Sequence, residues 1–119
     1  MRVVSLPESS IARHIRDTWE LIPLRIPTGW SVRWNGVEAR RLSSGEFEIN
    51  DSEDLFWAVR EQGGREITLD GGYYDGVFKI HVLEPDWDHV TDTYETHVFD
   101  DFVWKLEIRL VAIASGQSY

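Results

Sequence analysis

The apolar positions change period several times along this chain, and each change predicts an element. Met1 to Leu6 alternates weakly through Val3, Val4 and Leu6, as a short edge strand ahead of Pro7 would. Ser9 or Ser10 can cap a helix whose apolar residues, Ile11, Ile15, Trp19 and Ile22, recur at helical spacing; Pro23 stops it. Leu24 to Thr28 then reads as an extended connection. Trp30 to Trp34 alternates strictly, which places Trp30, Val32 and Trp34 on one face. Asn35-Gly36 predicts a tight hairpin turn into a return strand, Val37 to Leu42. After Ser43-Ser44-Gly45, Glu46 to Ile49 alternates again with Phe47 and Ile49 inward.

From Asn50 to Arg60 the spacing suggests helix. Asn50 with Glu53 matches a capping box, and Asp51, Glu53 and Asp54 suit the first turn. A strand through Leu55 to Val59 is the alternative; the cap signals favour helix. Ile67 to Asp88 reads as a β-hairpin about Asp75-Gly76, with Phe78, Ile80 and Val82 alternating on its return strand and Gly71-Gly72 marking a bulge or bend. Thr91 to Thr96 is β-prone and suited to pairing beside it. Phe99 to Ala114 is an amphipathic helix with Phe99, Val103, Leu106, Leu110 and Ile113 on the buried stripe. The expected fold is therefore α+β, in a single domain over 1–119. One antiparallel sheet of about five to six strands is covered by two or three helices, including the long C-terminal one.

Composition narrows the function classes. With 119 residues and no Cys, the chain can bury one core but holds no disulfide framework, cysteine zinc site or thiol nucleophile. A net charge of −9 argues against a nucleic-acid partner and for rapid encounter with a basic protein. Neither a leader-like apolar segment nor a run long enough to span a membrane is evident, so a cytoplasmic protein with no membrane association is expected. The charge is uneven: from Ile80 to Trp104 there are seven acids and no Lys or Arg. A solvated acidic face is the plainer explanation, and a binding face the sharper one.

Candidate chemistry is sparse. His14, His81, His89 and His97 lack metal-ligand spacing, and no metal or other cofactor is expected. Asp86, Asp88 and Asp92 lack the Gly and closing Glu of a calcium loop. No nucleophile elbow, S-x-x-K pair or phosphate loop occurs, so no catalytic residue is assigned. Trp19, Trp30, Trp34, Trp57 and Trp104 sit on expected element faces and read as core. Tyr73, Tyr74 and Trp87 lie beside turns and acids, where aromatic residues serve as interface anchors. The expected partner-binding set is Tyr73, Tyr74, Glu84, Asp86, Trp87, Asp88, Asp92 and Glu95, with the acids steering a cationic partner.

Three stretches carry a family likeness. Ile26-Pro27-Thr28-Gly29-Trp30-Ser31-Val32-Arg33-Trp34-Asn35, Asp54-Leu55-Phe56-Trp57, and Leu69-Asp70-Gly71-Gly72-Tyr73-Tyr74 with Asp75-Gly76 together resemble the layout of small acidic bacterial immunity-type proteins. The resemblance covers about a third of the chain and implies a non-enzymatic inhibitor that binds a cognate polymorphic or contact-dependent toxin directly. A module with a Trp-lined pocket for a small molecule or peptide is the alternative. A small hydrolase or isomerase is another, which a cleft holding His81 against a perturbed carboxylate would bring forward. Pairing of an uncovered sheet edge would make a homodimer.

Overall fold

The structure, a computed structural model, describes residues 2–6 and 14–119. Its elements in chain order are β1 (Arg2–Val4), β2 (Glu20–Leu21), β3 (Ser31–Asn35), β4 (Glu38–Arg41), β5 (Phe47–Ile49), β6 (Phe56–Gln62), β7 (Arg65–Tyr74), β8 (Val77–Leu83), β9 (Val90–Thr96) and α1 (Phe99–Ser115). They form two antiparallel sheets, ordered β1-β5-β4-β2 and β3-β6-β7-β8-β9. The expectation of one sheet under two or three helices is thus corrected: among the described residues the fold is mostly β, with two sheets and one α-helix.

The largest correction concerns Asn50 to Arg60. Residues 56–62 are strand β6, hydrogen-bonded to β3 on one side and β7 on the other. Phe56 and Ala58 are buried while Trp57 between them is exposed, a period of two. The cap signals are real but serve a turn. The Asn50 side chain donates to Gly36 O at 2.8 Å and accepts from Ser52 N at 3.1 Å. An Asx turn uses the same side-chain-to-backbone bond as a helix cap, so the sequence pattern does not distinguish them.

The helix expected from Ile11 to Ile22 lies partly outside the described residues. Within them, 15–19 are irregular and Glu20–Leu21 pair with β4, although Ile15 and Ile22 are buried. The Asn35-Gly36 hairpin does not form either. Gly36 lacks the positive φ of a type I′ turn; its N–H donates to Leu55 O at 2.7 Å, and β3 and β4 join different sheets. Asp75 (φ 52°) and Gly76 (φ 84°) do have that geometry, and β7 and β8 pair in register from Tyr74↔Val77 to Thr68↔Leu83.

Gly71 and Gly72 make no bulge, since both pair in unbroken register with Ile80 and Lys79. They are needed because neighbours come close on both faces. A Cβ on Gly71 would lie 3.0 Å from Phe102 of α1, and one on Gly72 would lie 1.8 Å from Glu53 O. Opposite faces of β7 thus meet α1 and the 52–55 segment.

Helix α1 follows the expected stripe closely. Asp100 and Asp101 occupy its first turn, and Gly116 ends it in the left-handed conformation. Phe99, Phe102, Leu106 and Leu110 pack with Leu69, Phe78 and Ile80 in one core, which also holds Ile22, Val37, Phe47 and Ile49 from the four-stranded side. At about 2 kcal/mol for each fully buried large apolar side chain, this stripe holds the helix on the sheet. It covers one face of the five-stranded sheet, and the site described next lies on the other.

Candidate functional site

Antiparallel register makes directly opposed residues share a face. In the five-stranded sheet, Trp34, Trp57, Asp70, His81 and Thr93 form one cross-strand row on the face away from α1. Val59, Thr68 and Leu83 form the parallel row beside it. Trp34, Trp57 and Asp70 of the first row and all three residues of the second, together with Ser52 to Asp54 on one side and Pro85 to Trp87 on the other, line a groove of about 830 Å³.

A register irregularity between Val32 and Trp34 is essential to this arrangement. Strict alternation would put Trp30, Val32 and Trp34 on one face, as the sequence led us to expect. Instead Trp30 donates its indole N–H to Leu110 O of α1 at 2.9 Å, whereas Trp34 points into the groove. The Trp34 indole N–H is held by Asp54 O at 2.9 Å. Trp34, Trp57 and Trp87 are 52%, 47% and 57% exposed, against the expectation that the first two belong to the core. Trp19 and Trp104 are exposed as well.

The groove is acidic. Glu53, Asp54, Glu66, Asp70 and Asp86 line it, and among the described residues no Lys or Arg does. Asp70 lies in the middle of a central strand. Burial, and then the charge of Asp54, pushes its carboxyl up to about 6. His81 stands opposite, with Nδ1 at 3.9 Å from Asp70 Oδ2, too long for a hydrogen bond. Burial, and then Lys79, lowers the His81 pKa, which favours the neutral imidazole. Both facing atoms are buried without a hydrogen-bond partner among the described residues. His81 packs against Trp87 (centroids 4.8 Å apart, edge-on) and does not itself line the groove.

The eight residues expected at a partner surface are dispersed. Asp86 and Trp87 line the groove, and Asp88 is exposed beside them. Asp86 accepts bonds from Asp88 N at 3.0 Å and faces His89 Nδ1 at 3.1 Å; the His89 contact, then the backbone bond, lowers its pKa. Glu84 pairs with Arg65 at 3.1 Å and Glu95 with Lys79 at 3.7 Å. Asp92 turns toward α1, where it pairs with the buried Arg109 at 2.8 Å. Tyr73 packs on Phe78, its hydroxyl accepting from Arg2. Tyr74 is half-buried near the hairpin tip, and burial followed by Asp70 raises its pKa.

Sequence reasoning missed Trp34, Trp57, Asp54 and Asp70. For Asp70 a signal existed: aspartate is depleted in strand interiors, and this one follows Ile67-Thr68-Leu69 directly. Among the described residues, no three His, Asp or Glu side chains converge as a metal site would require, and no helix is long and apolar enough to cross a membrane. Compared with protein-family models, curated proteins and solved structures, the chain matches none of them.

Proposed function

We propose that this is a non-enzymatic binding protein that receives a cationic segment of a basic protein partner in the groove between Trp34, Trp57 and Trp87. The observation that carries this reading is the lining itself: three exposed indoles and five carboxylates around about 830 Å³, with no Lys or Arg among the described residues that line it. Exposed aromatic surface supplies contact energy, and unbalanced negative charge both attracts and selects a positive partner. An immunity-type inhibitor of a basic toxin in the bacterial cytoplasm fits this chemistry and the net charge of −9.

One observation favours acid–base chemistry as a second reading. Asp70 has a pKa of about 6 and lies beside His81. The imidazole is enclosed behind Trp87 rather than presented to the cavity, so binding remains the better account.

The test is capture from a lysate of the source cell, with wild-type chain and Trp57→Ala immobilised in parallel. We expect a basic protein that the wild type retains at low salt, that high salt releases, and that Trp57→Ala fails to retain. Equal retention by both chains, or retention of acidic proteins alone, would overturn the proposal.

A further inference from the structure

We infer that the residue the groove selects is an arginine of the partner, its guanidinium stacked on an indole and paired with the Asp70 carboxylate. This rests on the binding reading above and names its ligand. The chain holds its own arginines in this way. The Arg40 guanidinium lies over the Trp19 ring at 5.6 Å while its Nε donates to Glu48 at 2.6 Å. Arg109 lies over Tyr94 at 5.1 Å and Tyr119 at 4.8 Å while donating to Asp92 at 2.8 Å. In each case a planar cation is held between an aromatic face and a carboxylate.

The groove presents the same kind of acceptors, aromatic faces and carboxylates. Trp57 and Asp70 are directly opposed on β6 and β7, and Trp34 is opposed to Trp57 on its other side. Opposed side chains have Cβ atoms about 5 Å apart, close enough for one guanidinium to touch both ring and carboxylate. No cation of the described chain lies over Trp34, Trp57 or Trp87, and Asp70, whose side chain is still 17% exposed, lines the groove with no Lys or Arg of the described residues paired to it. Arginine suits this geometry better than lysine. It is planar, more weakly hydrated, stacks on indole and offers paired donors to a carboxylate, whereas an ammonium is a strongly hydrated point charge.

The experiment follows the six indole N–H resonances of the intact protein while three capped pentapeptides are titrated, Gly-Gly-X-Gly-Gly with X as arginine, lysine or citrulline. The arginine peptide is expected to shift the Trp57 and Trp87 signals saturably and to bind at least about fivefold more tightly than the lysine peptide. Citrulline, which keeps the shape without the charge, is expected to be inert. Asp70→Asn is expected to weaken arginine binding at least about fivefold while leaving the Trp30 indole signal in place as a check on the fold. Lysine binding as tightly as arginine would overturn the arginine assignment and leave the cationic groove standing. Citrulline binding equally well would overturn both, and binding of no peptide would overturn the assignment alone, the lysate capture deciding the wider reading.

Discussion

Asp70 shows how one residue sets stability against binding. Its carboxyl is raised from 3.8 to about 6, so the folded state holds the proton more tightly than the unfolded chain does. The ionised group therefore destabilises the fold: not at all below the unfolded value, increasingly as pH rises from 3.8, and fully above about 6. With allowance for solvent screening, Asp70→Asn should stabilise the protein by about 1–2 kcal/mol near pH 7.5 and by little near pH 4. Urea unfolding at the two pH values measures this, and equal effects at both would count against it. Ligand binding should weaken as pH falls through 6, because protonation removes the negative charge that pairs with the cation. His81, Tyr74 and Asp54 are titratable groups beside this carboxyl, and Glu53 lines the same groove. The fold thus keeps a carboxylate that stability alone would favour losing, as the proposed cation-binding role requires.

Among the elements, β6 and β7 decide the architecture. The 52–55 segment runs along β7 from the start of β6, held by Leu55 N to Gly71 O at 3.0 Å and Tyr73 N to Ser52 O at 3.1 Å, and its Glu53 carbonyl crosses the face of the strand at Gly72. The crossing leaves no room for a side chain on Gly72. Gly72→Ala should push Glu53 and Asp54 off the sheet, cost about 1–3 kcal/mol, and displace the groove wall that holds Trp34. Gly45, with open space around its Cβ position, is the control. Any loss there comes from φ +87° alone, about 1 kcal/mol. Thermal unfolding of the two variants, with the Trp34 indole resonance as a local reporter, separates the effects. A Gly72→Ala protein with unchanged stability and an unmoved Trp34 signal would refute the crossing.

For the molecule as a whole, charge acts through its placement more than its total. Glu84, Asp92 and Glu95 are each matched to a base, and Arg40 and Glu48 likewise pair across their sheet. Asp86 and Asp88 stand at the rim of the groove with their charge facing solvent. Reversing both to Lys should slow association with a basic partner severalfold, with less effect on dissociation, because rim charges steer encounter. Stopped-flow measurement on the captured partner reads this directly, and an unchanged association rate would show that the rim does not guide approach.

Individual elements, though not the two-sheet architecture, were legible where local and tertiary signals agree. The Asp75-Gly76 hairpin, the Thr91 to Thr96 strand and the α1 stripe combine turn chemistry and periodicity that point the same way. The readings that failed are those in which one local pattern serves two structures. Asn50 and Glu53 fit a helix cap, yet Asn50 makes an Asx turn; Asn35-Gly36 fits a hairpin, yet it carries the chain between sheets. By itself, then, the sequence determined a Cys-free acidic chain, its hairpin and its amphipathic helix, because those depend on composition and on neighbours within a few residues. Only the tertiary structure decided that Trp34, Trp57 and Asp70 meet. Their meeting depends on a register shift in β3 and on strand pairings between distant segments, and no local pattern encodes either.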